Sequence, residues 1–229
     1  MIGAMEYEEA VASAPAGWRH FDIGDIARLP PAVRERELAR VPRGEPDERV
    51  LRALFWTLVY HLEPQRWDDL ARIEPIAPEL IAALPGGGDV ALDVGAGSGR
   101  LTRHLVKKGH RVIAVEPSAG LRALLARRLP NVEVVAGWAE QLPLGDGIAQ
   151  LTAACGALGP DPAVLGELRR VTARGGVIAL ISPEHPEWFE EQGWKRTVVA
   201  RPPVPDHAPE LDEFFGPPDP PHEMVMRTV

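Results

Sequence analysis

The stretch Ala91-Leu92-Asp93-Val94-Gly95-Ala96-Gly97-Ser98-Gly99-Arg100 decides how this chain is read. Val90, Ala91, Leu92 and Val94 form an apolar run suited to a strand covered on both faces, and Leu101, Leu105 and Val106 then change to helical spacing. A strand passing through a glycine turn into a helix predicts a nucleotide cradle at the strand's carboxyl end. Glycines there let a ligand approach the backbone, and the N–H groups of the helix's first turn favour electron-rich or anionic atoms. A dinucleotide fingerprint needs G-x-G-x-x-G, but counted from Gly95 its last glycine position holds Arg100. The pattern present is D-x-G-x-G-x-G, with the carboxylate of Asp93 two residues ahead of Gly95, where it suits a ligand carrying an ammonium group.

A second buried strand, Arg111-Val112-Ile113-Ala114-Val115, also ends in a carboxylate, Glu116, followed by Pro117 and Ser118. Glu116 comes 21 residues after Gly95, and a carboxylate at that strand tip is suited to accept hydrogen bonds from both hydroxyls of a ribose. The first stretch resembles motif I of the class I S-adenosylmethionine-dependent methyltransferases. The resemblance implies an α/β, Rossmann-like sheet of seven mostly parallel strands with helices on both faces. It also implies S-adenosylmethionine as cofactor, S-adenosylhomocysteine as product, and contacts from Asp93, Gly95, Ala96, Gly97, Gly99, Glu116 and Pro117.

The resemblance continues down the chain. Gly137-Trp138-Ala139-Glu140-Gln141-Leu142-Pro143 is similar to a family segment, usually G-D-A-E-x-L-P, that meets the adenine, which adds Trp138, Ala139 and Glu140 to the expected contacts. Trp138 stands at the usual acidic position; an indole can stack on an adenine or lie at its edge but cannot accept its amino hydrogens. Gly147 to Ala154 is expected as a fourth strand, with Ala149, Gln150, Thr152, Ala153 and Ala154 in place of bulky aliphatics. The loop Cys155-Gly156-Ala157-Leu158-Gly159 then takes the place beside the sulfonium, which makes Cys155 the last expected contact. It lacks the Asn/Asp-Pro-Pro-aromatic tetrad often found where bases or glutamine are methylated.

Composition narrows the function. A formal charge of −8 and a pI near 5.4, with no dense basic run, argue against nucleic acid as substrate. No apolar run approaches the roughly 20 residues of a membrane span, and the start has no secretion signal, so a cytoplasmic protein without membrane contact is expected. Cys155 is the only cysteine, and no histidine pairs with another ligand at metal-site spacing, so no metal is expected. Without a neighbouring histidine, Cys155 reads as a buried thiol rather than a nucleophile. His104 and His110 are expected on solvated surface.

Residues 1–88 read as a helical extension closed by the linker Pro85-Gly86-Gly87-Gly88, and residues 89–229 as the methyltransferase core. Helices are expected at Glu6 to Ala14, Pro31 to Val41, Pro46 to Leu62, Pro64 to Arg72 and Pro75 to Leu84. The third is apolar nearly all round (Val50, Leu51, Leu54, Phe55, Leu58, Val59, Leu62), so it is either clamped under the extension or a homodimer contact. In the core, Ser118 caps a helix over Ala119 to Leu129, Val132 to Ala136 is the third strand, and Asp161 to Ala173 is a helix. A glycine turn at Arg174 to Gly176 precedes a fifth strand, Val177 to Ile181. A short helix over Pro186 to Gln192 precedes the strands Lys195 to Ala200 and Glu223 to Val229, an antiparallel pair in the family, with the second beside the fifth strand. Between them, the proline-crowded stretch 201–222 reads as a lid, a recognition segment or a disordered loop.

The function expected is methyl transfer to a small-molecule acceptor, with no base assignable among His20, His61, Glu184 and His185 and with Trp56, Tyr60, His61 and Trp67 as candidate pocket residues. The alternatives are a non-catalytic protein that binds S-adenosylmethionine or its product, and an aminopropyltransferase, for which the loop after the fourth strand lacks an acidic cluster.

Overall fold

A computed structural model of the chain describes residues 21, 23–40, 48–203 and 221–229. The expected first helix, Pro46, His20 and residues 204–220 of the proline-crowded stretch lie outside the described residues. The chain divides into two compact units, residues 1–73 with 204–218 and residues 74–203 with 219–229, so the Pro85–Gly88 linker lies inside the second unit.

In the first unit the described helices are α1 (Ile23–Ile26), α2 (Pro31–Arg40), α3 (Glu48–Leu62) and α4 (Pro64–Ile73). Leu54, Phe55, Leu58 and Val59 of α3 are buried within the single chain, and Phe55 meets Phe21 edge-on with ring centroids 5.7 Å apart. Four of the apolar residues read along this helix are thus packed inside the chain.

The second unit carries a seven-stranded sheet of order β3-β2-β1-β4-β5-β7-β6. Its strands are β1 (Val90–Val94), β2 (Arg111–Val115), β3 (Glu133–Val135), β4 (Ala149–Cys155), β5 (Thr172–Ile181), β6 (Lys195–Val199) and β7 (His222–Thr228). The first five are parallel, and β7 runs antiparallel to both β5 and β6. Its helices are α5 (Pro78–Ala83), α6 (Thr102–Lys107), α7 (Ala119–Arg128), α8 (Pro162–Val171) and α9 (Pro186–Glu191). Helices cover both faces, as expected.

Alternation along β1 assigns the faces. Leu92 and Val94 join the cluster that α8 completes with Val164, Leu165, Leu168 and Val171. Ala91 joins the opposite cluster, with Leu80 of α5 and Leu105 of α6. Each such fully buried side chain contributes roughly 1.5–3 kcal/mol. Asp93 shares the pleat direction of Ala91, so the sequence directs a carboxylate into a wall of aliphatics.

Local chemistry sets the helix ends. Ser118 Oγ accepts from Leu121 N at the start of α7, and Asp161 Oδ1 accepts from Ala163 N and Val164 N at the start of α8. The helix expected from Pro75 starts only at Pro78, because the proline ring forces Ala77 into an extended conformation (φ −54°, ψ 125°). The turn expected before the fifth strand is a bulge inside β5. Ala149 pairs with Thr172 and Leu151 with Val177, Gly175 takes φ +79°, and its N–H donates to Val229 O. The small side chains of β4 are fully buried, and its Thr152 hydroxyl lies 2.7 Å from that of Thr172.

His110 is buried rather than solvated: its ring nitrogens lie 3.1 Å from Pro85 O and 3.4 Å from Asp89 O, which ties the linker to the start of β2. His104 is half-buried, with its Nε2 buried and without a hydrogen-bond partner among the described residues. Desolvation and the nearby charges of Arg103, Lys107 and Arg100 push its pKa down. Among the described residues, no helix is long and apolar enough to cross a membrane.

Candidate functional site

The turn after β1 takes the conformation its glycines permit: φ is +71° at Gly95, +56° at Gly97 and +101° at Gly99. At Gly95 space matters as well, because a Cβ there would stand 2.9 Å from the Cβ of Ala157 in the loop after β4. The two loops therefore meet at the carboxyl ends of β1 and β4.

Four N–H groups of this turn are used within the protein. Those of Gly95 and Ala96 both donate to Val115 O, at 2.9 and 3.1 Å; that of Gly97 donates to Glu116 Oε2 at 2.9 Å, and that of Gly99 to Ala96 O. The backbone is committed to shaping the turn and fixing Glu116.

Asp93 is 1% exposed. Its Oδ2 accepts from the Thr102 hydroxyl at 2.5 Å, whereas its Oδ1, also buried, has no hydrogen-bond partner among the described residues. Burial raises its pKa from 3.8 to about 7, against the lowering effect of Thr102 and with a further push from the Glu116 charge. A buried acceptor left without a donor costs about 1–3 kcal/mol, so the site favours a ligand that brings one. An ammonium fits that atom in charge and in donor count.

Glu116, directly after β2, is also buried. Val94 pairs with Val115, so Glu116 stands level with Gly95 on the adjacent strand. Ser118 N donates to Oε1 at 2.8 Å and Gly97 N to Oε2 at 2.9 Å. Burial raises the Glu116 pKa, while these two bonds and the Arg122 guanidinium pull it back. Each oxygen keeps a lone pair, enough to accept from a vicinal pair of hydroxyls. Arg122 Nη1 donates to the carbonyls of Glu116 and Pro117, at 2.7 and 2.8 Å, and pins the strand end.

Trp138, Ala139 and Glu140 follow β3 and are each partly buried, with Ala139 packed against the core. Trp138 bridges to Gln141, whose N–H donates to Trp138 O. A clamp that sequence reasoning missed holds the segment from α8. Glu167 Oε2 accepts from Leu142 N at 2.7 Å, Arg170 donates to the carbonyls of Leu142 and Leu144, and the two side chains pair at 2.6 Å. Glu167 and Arg170 are one helical turn apart, a spacing visible in the sequence, although their target is not.

Cys155 ends β4, and the Arg100 guanidinium donates to its Sγ at 3.3 Å. Burial pushes this thiol up, which agrees with an unreactive cysteine. The structure thus gathers Asp93, the glycine turn, Glu116 and Cys155 at adjacent strand ends. It leaves His61, Trp56, Tyr60 and Trp67 in the first unit, where the three aromatics pack on one another with centroids 5.1–5.8 Å apart. Glu184 packs against Gly159 of the β4 loop, and the exposed His185 lies 3.6 Å from Glu187. Among the described residues, no three potential ligands are grouped to hold a metal.

The family model described as "Methyltransferase domain" matches residues 91–176. The chain is 35% identical over 122 residues to an uncharacterized methyltransferase of Mycobacterium tuberculosis, covering 51% of this chain and 50% of that protein. It is 36% identical over 113 residues to a demethylmenaquinone methyltransferase of Beutenbergia cavernae, covering 48% and 46%. The chain thus spans about half the length of the curated relatives it matches. Its fold is similar to a solved SAM-dependent methyltransferase of Aquifex aeolicus, with a TM-score of 0.51 at 20% identity over 72% of this chain and 96% of that one.

Proposed function

We propose that this chain, whose residues 91–176 match the methyltransferase-domain model, is a class I S-adenosylmethionine-dependent methyltransferase and that it moves a methyl group from S-adenosylmethionine to a small-molecule acceptor. The observation that carries the reading is the pair of buried carboxylates at adjacent strand ends, one of them with an oxygen awaiting a donor.

In this reading Asp93 Oδ1 accepts from the ammonium of the methionine tail and Glu116 accepts from the ribose hydroxyls. Trp138, Ala139 and Glu140, held by the Glu167–Arg170 clamp, face the base. The bound sulfonium supplies a methyl group that is already activated for displacement. The protein's work is then to position the ligand and keep water from it. Rigidity serves both: the turn N–H groups fix Glu116, Thr102 fixes Asp93, and Gly95 lets the β4 loop close on the turn.

Three features support a small acceptor in a cytoplasmic setting: the acidic net charge, the β4 loop without the tetrad used on bases, and the similarity to a protein named for a quinone acceptor. A non-catalytic binder of the same ligand is the second reading, favoured by Trp138 at the usual acidic position. Calorimetric titration with S-adenosylmethionine and S-adenosylhomocysteine tests the binding half, with micromolar or tighter binding expected. Transfer of a labelled methyl group is then followed into metabolites, RNA and protein. Label in metabolites supports the enzyme, label in RNA or protein overturns the acceptor class, and binding without transfer to any of the three favours the second reading.

A further inference from the structure

Arg100, the residue that displaced the third glycine of the dinucleotide fingerprint, is held in an incomplete arrangement. Its Nη1 pairs with the carboxylate of Glu74, and its Nη2 donates to Cys155 Sγ at 3.3 Å. The side chains of Arg100 and Glu74 are 15% and 12% exposed. A guanidinium so placed prefers two parallel bonds to one carboxylate, yet here one arm meets a neutral thiol, a weak acceptor.

The surroundings say what would complete it. Asp93 pairs across the sheet with Ala153, so Cys155 stands two residues beyond it towards the strand ends. Gly156 adjoins the same guanidinium, since a Cβ there would lie 3.3 Å from Nη2. The thiol of Cys155 is within electrostatic reach of both the Arg100 cation and the Asp93 carboxylate. A buried carboxyl group with an unpartnered oxygen and a partly buried guanidinium with a poorly used arm therefore flank one thiol. An α-amino acid group carries the complementary pair of charges on a single carbon.

We propose that Arg100 binds the α-carboxylate of the ligand's amino-acid tail, and that Glu74 is the counter-ion which this carboxylate displaces. The inference rests on the S-adenosylmethionine reading and deepens it: Arg100 makes the site select ligands with an intact amino-acid tail over truncated nucleosides. Glu74 sets the strength of that selection by competing for the same guanidinium.

Calorimetry with S-adenosylhomocysteine and with 5′-methylthioadenosine, which lacks the amino-acid carbons, tests this on the full chain. Arg100→Gln is expected to weaken S-adenosylhomocysteine about 10- to 100-fold while leaving methylthioadenosine within about twofold. Glu74→Gln is expected to tighten S-adenosylhomocysteine several-fold and leave methylthioadenosine unchanged. Should Arg100→Gln fail to fold, Arg100→Lys decides, with an intermediate loss confined to S-adenosylhomocysteine. Equal losses for both ligands would mean that Arg100 only ties the loops together; an unchanged S-adenosylhomocysteine affinity, or a Glu74→Gln variant as weak as Arg100→Gln, would equally overturn the proposal. Wild-type protein that binds neither ligand would instead refute the cofactor reading beneath it.

Discussion

Thr102 donates its hydroxyl to one oxygen of Asp93 at 2.5 Å and leaves the other, equally buried, with no donor among the described residues. The carboxylate is thus oriented and half satisfied, so its protonation is coupled to any ligand that donates to the second oxygen. In the folded protein Asp93 holds its proton up to about pH 7, whereas in the unfolded chain the proton leaves near 3.8. The folded state binds more protons across that window, so this group's contribution to stability is complete below pH 3.8 and is lost as pH rises through 7. Thermal melts of the ligand-free wild type should fall between about pH 4 and pH 7, at up to roughly 1.4 kcal/mol per pH unit, and level off above pH 7. Asp93→Asn should remove that part of the decline.

Ligand binding reverses the preference. An ammonium on Oδ1 favours the ionised carboxylate, so S-adenosylhomocysteine affinity should rise with pH up to about 7 and then level off. In Asp93→Asn the affinity should be lower and nearly flat over the same range. Calorimetry at pH 6, 7 and 8 measures both, and a flat wild-type profile would count against the ammonium contact.

Glu116 makes a different prediction, because its proposed partners are hydroxyls common to every adenosine ligand. Glu116→Gln should weaken S-adenosylhomocysteine and methylthioadenosine alike, by roughly 10- to 100-fold at the 1.5–3 kcal/mol typical of bonds to a charged group. A loss confined to one of the two would show that Glu116 does not hold the ribose.

Gly95→Ala tests the approach of the two loops. The substitution combines a positive φ of +71° with a contact of 2.9 Å to Ala157. Destabilisation by about 1–3 kcal/mol is expected, read as a drop of several degrees in Tm. Pairing it with Ala157→Gly should recover the steric share and leave the conformational one.

The clamp from α8 is testable without any ligand. Glu167→Ala removes the acceptor of Leu142 N and a partner of Arg170. Amide exchange at Leu142 and Gln141 should speed up by about tenfold or more, while exchange in β1 and β2 should stay unchanged.

What the sequence disclosed and what it hid follow from the range of the interactions. Asp93 and Glu116 were legible because each ends an apolar run and lies next to the residues that shape its loop. The strands were legible as apolar runs, whereas the place of β7 beside β5 followed only from the family resemblance. Glu74 and Arg100 are 26 residues apart, and the Glu167–Leu142 bond spans 25, so neither partnership leaves a local pattern. His110 was misplaced because its partners are carbonyls of the linker, a backbone feature without a residue signature. The commitment of the turn N–H groups to Val115 O and Glu116 was hidden likewise, since it depends on how β1 and β2 pair.

The position of β7 sets an order of assembly. As the chain leaves the ribosome, β6 emerges before β7, yet in the finished sheet β6 pairs only with β7, which lies between it and β5. A nascent chain that stops before His222 can dock five parallel strands and build the Asp93–Glu116 site, but β6 has no neighbour to zip onto. The edge of β5 then stays open until the late strand arrives, and that interval is when the growing chain is most exposed to mispairing and to chaperones.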